Sequence, residues 1–490
     1  MISRRLFVLG LVVPSVLAAQ QAPARDQWSS VRDTIRALMT RENVPSVAVA
    51  VARGHQIIWE EGFGWADRER MIRATPNTMY SLASISKPMT ATGLMTLAEH
   101  GKIDLDKPAN DYLGVGKVTG LAGDASGATV RRVMSHTAGL PLHYQFYYAN
   151  QSYPVVSNDE TIARYGILVN PPGEVYEYSN LGYGIIDQII SRSSGQDYAD
   201  FMRANVFMPL GLTHTSVGIA PGLEPYIAQR YDLKQRVIPF YDFDHRGASA
   251  IFSSAHDLVR FGMFHLKDHL ADQRAILKDS TITAMQLPVP PANYGLGWIV
   301  DERNGLKFVS HTGGMPGVQT GLNLYPAEDV AIVVLINAVV DAPKVTREIE
   351  RIILPRYAEA QRLSQTAPPA KTAFRPPNEL VGEWSGTIRT WDRSMPLTLA
   401  IKPDGDVHVH VEGQMEALLN DAKWENNELT GRFAGTIPTS DASRWPHEIL
   451  LSLRLRNGGL SGMAAAVSTT DPVYFALTSY ASLTKKVAAK

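Results

Sequence analysis

The chain has 490 residues, 45% of them hydrophobic and 19% charged, which is too long for one ordinary domain and describes a globular protein. A formal net charge of −1 excludes a general affinity for nucleic acid or for anionic membranes. The absence of cysteine excludes disulfides, a thiolate nucleophile and any zinc site built on cysteine.

Arg4 and Arg5 precede an apolar run from Leu6 to Ala19, and the small residues Ala18 and Ala19 suit a cleavage site, so 1–19 reads as an export signal. Ser3-Arg4-Arg5-Leu6-Phe7 has the look of a twin-arginine signal. The run is broken by Pro14 and is shorter than the ~20 apolar residues of a membrane helix. The processed chain is therefore expected in the periplasm or outside the cell, without a stable membrane span.

Asp26 is placed to cap a helix carrying Trp28, Val31, Ile35, Leu38 and Met39. Two β-runs, Ser46 to Ala52 and Gln56 to Gly62, are joined through Arg53-Gly54-His55 as a hairpin. A helix is expected from about Ser84 to a stop at Gly101, with Pro88 tolerated in the first turn. Helical spacing recurs at Ile186 to Ser191, Tyr198 to Val206 and His256 to Leu266. Strands are expected at Tyr294 to Val300, Phe308 to His311, Gln319 to Tyr325 and Val330 to Asn337, then one helix from Val345 to Ala360. Strands at both ends of a helical block imply one α/β domain, over 27–360, whose sheet is assembled from distant segments. A Pro-rich linker over 361–378 carries Pro368, Pro369, Pro376 and Pro377. Over 379–490 the pattern is strands alone: Leu397, Leu399 and Ile401 alternate, as do Val407, Val409 and Val411, and Leu451, Leu453 and Leu455. This second unit reads as a small antiparallel barrel.

The chemistry centres on Ser84-Ile85-Ser86-Lys87. On a helix, residues three apart share a face, so the Lys87 amine can lie beside the Ser84 hydroxyl. The S-x-x-K pattern alone is weak, and Ser482-Leu483-Thr484-Lys485 repeats it by chance. Two further stretches stand in informative settings. Tyr178-Ser179-Asn180 follows Pro171-Pro172-Gly173 on a loop, and Ser310-His311-Thr312-Gly313-Gly314 ends a β-run where glycines admit a ligand close to the backbone.

Ser84-x-x-Lys87, Tyr178-x-Asn180 and His311-Thr312-Gly313, in that order, resemble the class C β-lactamase and DD-peptidase superfamily, the serine β-lactamase-like or S12 peptidase family. Met134 to Pro141, Gly247 to Phe261 and Tyr294-Gly295-Leu296-Gly297-Trp298 are similar to family members too, so the resemblance covers about 27–360. It implies an antiparallel sheet flanked by helices with a helical subdomain. The barrel looks like the lipocalin-like domain of some relatives.

By that resemblance Ser84 is the acylated nucleophile, Lys87 helps move its proton, and Tyr178 is the general base, its phenol pKa drawn down by the Lys87 cation. Asn180, His311, Thr312 and Gly313 would bind substrate, and the N–H groups of Ser84 and Gly314 would form the oxyanion hole. The family's β-lactamases carry lysine where this chain has His311, so a peptidase, D-aminopeptidase or esterase activity is expected ahead of efficient β-lactam hydrolysis. His311 is expected to act there as a partly charged cation for substrate carboxylates, the alternative being a hydrogen-bonding group tuned to the Ser84–Tyr178 network, where lysine would harm every substrate alike. The substrate is a small molecule or peptide, and no cofactor is expected. A homo-oligomer stays open. The rival reading is a binding or scaffold protein that keeps the penicillin-recognising fold with little turnover.

Among the remaining residues, Tyr144, Phe146, Tyr147, Tyr148 and Tyr153 could wall a cleft or pack a loop, and His136 reads as a structural hydrogen-bonding residue. His408 and His410 share a strand face but lack a third ligand, so no metal site is expected.

Overall fold

The computed structural model describes residues 26–303, 305–340, 342–364, 374–470 and 473–486. The export signal expected over 1–19, and Pro368 and Pro369 of the expected linker, lie outside the described residues.

The hairpin expected around Gly54 pairs Ser46–Arg53 with Gln56–Asp67 and sits inside a larger antiparallel sheet. In spatial order that sheet runs Ile299–Arg303, Leu306–Met315, Val318–Tyr325, Val330–Ile336, Ser46–Arg53, Gln56–Asp67 and Ile72–Arg73. Val47 lies opposite Ile336, so the two ends of the first unit meet at its centre, as the sequence pattern implied.

Both faces of the central strands are covered, and side-chain size sorts them. Val47, Val49 and Val51 point to a cluster with Val31, Ile35 and Leu38 of the first helix, Ser29–Glu42, and with Val345 and Ile349 of Pro343–Ile353. Ala48, Ala50 and Ala52 point the other way, to the cluster holding Leu258 and Phe261 of Ala255–Leu266. Burying a valine side chain contributes about 1.5–3 kcal/mol, and the alanines let the helix behind them approach closely.

Two expectations are corrected here. The final helix is two, Pro343–Ile353 and Pro355–Ser364, because Pro355 cannot donate to the preceding turn and starts a new helix instead. The strand expected from Tyr294 begins only at Ile299, since 294–298 forms a turn packed against the nucleophile helix.

The second unit is a nearly closed antiparallel barrel. Its strands run, in spatial order, Ala417–Leu418, Val407–Val411, Ser394–Ile401, Gly382–Arg389, Phe475–Lys485, Gly459–Ser468, His447–Arg456, Glu428–Phe433 and Asn420–Glu425. The alternating residues Leu397, Leu399, Ile401, Val407, Val409, Ile449, Leu451 and Leu453 are buried. Of the aromatic run after Leu142, Tyr153 lies in a loop, whereas Tyr144–Tyr148 is a strand that pairs with Phe475–Lys485 of the barrel and with Tyr241–Phe243 of the first unit. The two units thus share one sheet. Among the described residues, no helix is long and apolar enough to cross a membrane.

Candidate active site

The turn that carries Ser84 is assembled by a short strand. Met79–Ser81 pairs with Ile251–Ser254, and the Leu82 N–H donates to the Ile251 carbonyl at 2.8 Å. The chain then turns sharply: Ala83 has φ of 50°, a conformation an L-residue holds only at a cost. Ala83–Ile85 is a 3₁₀ turn leading into the helix Ser86–Glu99, which places Ser84 half-exposed at the helix entrance. Ser86, two residues on, is buried and accepts the Ile251 N–H at 3.1 Å, so it is a structural serine.

Lys87 follows on the same face and is fully buried. Its Nζ lies 3.0 Å from Ser84 Oγ, 2.7 Å from Asn180 Oδ1 and 3.2 Å from the Ala248 carbonyl oxygen. Asn180 is the first residue of the helix Asn180–Ser194, whose N-cap, Ser179, accepts the Gly182 N–H through its side chain. Tyr178, just before the cap, is hydrogen-bonded to Ser84, and its ring centroid is 4.7 Å from Lys87 Nζ. Ala248 belongs to the turn Arg246–Ser249, held by Asp187, whose Oδ2 accepts the Gly247 N–H at 2.6 Å. A Cβ on Gly247 would fall 2.5 Å from the Tyr183 carbonyl oxygen, so only glycine lets this turn reach Lys87.

The strand Leu306–Met315 closes the site. A Cβ on Gly313 would meet the Leu82 carbonyl oxygen at 2.2 Å, so this glycine is what lets the strand lie against the Ser84 turn. Thr320 pins the same carbonyl from the neighbouring strand at 2.9 Å. Thr312 and Gly314 alternate with it and are exposed. The fold therefore brings together Ser84, Lys87, Tyr178, Asn180 and the 312–314 strand edge. The duplicate pattern is excluded: Ser482 lies in a strand opposite Thr387, where residues three apart point to opposite faces.

The electrostatics correct two expectations. Burial pushes the Lys87 pKa well below its ordinary value, with no carboxylate acting against it. Burial raises the Tyr178 phenol, and the bond to Ser84 opposes this only in part. Both shifts favour the uncharged forms: the Lys87 amine gives up its proton more readily than a free lysine, and the Tyr178 phenol keeps its own. An ammonium–phenolate pair would place charge on both groups, against both shifts.

His311 is the second correction. Only 2% of it is exposed. Its Nδ1 stands 2.7 Å from the Thr312 carbonyl oxygen, which can only accept, so Nδ1 carries the proton. Nε2 then accepts the Tyr294 hydroxyl at 2.9 Å. Burial, with Lys87 adding to it, brings the imidazole down to about 3. His311 is neutral, both ring nitrogens are taken, and it offers no cation to a carboxylate. Its folded pKa lies below its unfolded one, so it gains a charge only as the pH falls toward 3. We expect the ratio of kcat/KM for an anionic to a neutral ester to stay flat from pH 5.5 to 8. A ratio that drops through the ordinary imidazole pKa of ~6.5 would restore the cation. His311→Lys is expected to harm both substrates alike.

Sequence reasoning missed two contributors. Tyr294 lies in a stretch singled out for its pattern, but nothing in it reveals the bond to His311. The Ala248 carbonyl carries no side-chain signal at all. His136, read as structural, accepts the Ser179 N–H at 3.1 Å and packs against Tyr176, Tyr178, Tyr183 and Tyr294. His408 instead pairs with Glu416 at 2.9 Å.

Residues 31–355 match the family described as Beta-lactamase. The chain belongs to the β-lactamase family. Penicillin-binding protein 4* of Bacillus subtilis (strain 168) is 28% identical over 322 residues, 59% of this chain and 67% of that protein. Protein flp of Staphylococcus aureus (strain N315) is 24% identical over 318 residues, and that match covers 64% of this chain and 63% of flp, less than two thirds of its length. Among solved structures, SurE superposes over 94% of this chain and 99% of its own, with a TM-score of 0.63 and 22% identity. A class C β-lactamase covers 70% of this chain and 97% of its own at a TM-score of 0.57 and 18% identity, which shows a shared fold. Membership in this family of serine hydrolases makes the chain a hydrolase.

Proposed function

We propose that the protein is an exported serine hydrolase that forms an acyl-enzyme at Ser84 and acts on an ester or on an amide of a D-amino acid. The observation that carries this is the buried Lys87 amine 3.0 Å from Ser84 Oγ, its pKa lowered by burial. A neutral amine has two N–H groups and one lone pair. With its N–H groups on the Asn180 and Ala248 oxygens, a deprotonated Lys87 has its lone pair left for the Ser84 hydroxyl, whose proton it takes.

Ser84 Oγ attacks the substrate carbonyl as its proton passes to Lys87. The oxyanion is held by the Ser84 N–H, at the start of a helical turn, and the Gly314 N–H on the exposed strand edge. Tyr178, a phenol rather than a phenolate, donates its proton to the leaving group and is recharged by Lys87. Water then attacks the acyl-enzyme, with the same groups run in reverse and the acid product released.

Two considerations favour this substrate class over β-lactams. The neutral His311 leaves position 311 without the cation that a β-lactam carboxylate would meet. The related fold of SurE has been solved with D-Leu, which supports a D-amino-acid substrate here. A panel of p-nitrophenyl esters, D- and L-aminoacyl p-nitroanilides and nitrocefin tests the reading. Turnover of esters or D-anilides with slow nitrocefin cleavage is expected, and nitrocefin hydrolysed as efficiently as the esters would overturn it. Self-association is part of the proposal too, supported by an octameric penicillin-binding protein homologue from Pyrococcus abyssi with a TM-score of 0.57. Light scattering on the purified chain decides it.

A further inference from the structure

Pro171-Pro172-Gly173 has two residues without an N–H, so the loop that carries Tyr178 has few bonds of its own to hold it. On its inner side it is tied to the hydrolase unit by main-chain bonds: Gly173 N–H to the Thr137 carbonyl at 2.7 Å and Glu177 N–H to the His136 carbonyl at 2.8 Å. On its outer side it meets the barrel. Arg456, the last residue of the strand His447–Arg456, donates from Nε to Glu174 Oε1 at 2.8 Å and from Nη2 to Asn170 Oδ1 at 2.5 Å. Its third nitrogen, Nη1, bonds the Ser461 carbonyl at 3.2 Å and so fixes the guanidinium to the barrel wall. Asn170 and Glu174 bracket the Pro-Pro-Gly, and Tyr178 follows four residues later. Glu177 is half-buried against the same wall, where burial, with Glu428 adding to it and Arg454 opposing it, raises its carboxyl to about 7.

A second path leads from the barrel to Lys87. Phe475 and Ala476 pair with Gln145 and Tyr144. That strand pairs with Tyr241–Phe243, which runs through Asp244 and His245 into the Arg246–Ser249 turn. The Ala248 carbonyl on Lys87 is the end of this path. Asp244 is itself buried between His143 at 2.7 Å and His245 at 2.6 Å, so the segment has little freedom to move apart from its neighbours.

We propose that the barrel belongs to the catalytic apparatus and that Arg456 is a positioning residue, clamping the Asn170–Glu174 loop so that Tyr178 is aimed at Ser84. This rests on the role given to Tyr178 above. A partly exposed ion pair adds little to stability, so a purely structural Arg456 would be nearly silent. A positioning Arg456 is not, because a misplacement of an ångström can cost ~10²-fold in rate.

The test uses the full-length protein, a neutral p-nitrophenyl ester, and sites counted by fluorophosphonate titration. Arg456→Ala is expected to lower kcat per titrated site roughly tenfold with KM unchanged. Arg456→Lys, which keeps the charge but loses the fork, should fall between. Asn170→Ala with Glu174→Gln removes the clamp from the other side and decides the matter should Arg456→Ala fail to fold. His408→Ala, an exposed barrel substitution outside the clamp, should keep full activity. The proposal is overturned if kcat per site is unchanged in the clamp variants, or if their losses reflect only fewer titratable sites. Tyr178→Phe is run beside them. If it keeps the wild-type rate, the role of Tyr178 fails and the clamp with it; if it is impaired while the clamp variants are not, only the clamp fails.

Discussion

Ser84→Ala is expected to abolish ester hydrolysis and fluorophosphonate labelling while the fold survives. The side chain is half-exposed at a helix entrance, so removing one oxygen leaves no cavity in the core. The nucleophile has no substitute within reach: Ser86 is buried and engaged with Ile251. Loss of such a nucleophile removes on the order of 10³-fold or more in rate. Unfolding monitored by circular dichroism should match the parent. Labelling that persisted, or that mapped to Ser482, would sink the assignment.

The second large effect concerns Lys87, and it reverses the order that the sequence suggested. If Lys87 is the neutral base, Lys87→Met should cost more than Tyr178→Phe, because the base removes the proton in the first step while the phenol serves the leaving group. Each general acid or base role is worth roughly 10²–10⁴-fold, with Lys87→Met expected at the upper end. A p-nitrophenolate leaving group needs no proton, so Tyr178→Phe should be milder on p-nitrophenyl esters than on anilides. Lys87 acts as a base only above its folded pKa, so activity is lost as pH falls through that value and is retained above it. An alkaline optimum that needs an ionised tyrosine, with Tyr178→Phe the worse variant on esters, would return the base role to Tyr178. Pre-steady-state bursts separate the two steps directly.

Much of this site was legible in the chain. Ser84 and Lys87 share a helix face by spacing alone, and the Pro-Pro-Gly before Tyr178 marked a loop. The glycines at 313 and 314 were read as room for a ligand, but Gly313 instead admits the Leu82 carbonyl. The alternating leucines and valines after Leu397 gave the barrel because period two is the period of a strand. What the sequence could not supply was burial. The sign of the shift at Tyr178 depends on how much water reaches a phenol, and the neutrality of His311 depends on its burial beside Lys87, which sits in a different segment. Pro355 was visible all along, and a helix drawn through it ignored the proline's missing N–H.

The strand Phe475–Lys485 has a consequence for how the molecule is made. It pairs with the barrel's first strand on one side and, through Phe475 and Ala476, with residues 144–145 near its start. Ribosomal synthesis delivers this strand last among those described, long after Tyr144–Tyr148 has emerged. Until then the nascent chain carries open β-edges on both units, the kind of exposed backbone that recruits other chains. One late segment closes both. Folding yield in the cell should therefore hinge on how long that interval lasts, and slowing translation after residue 390 would lengthen it while leaving every native contact unchanged.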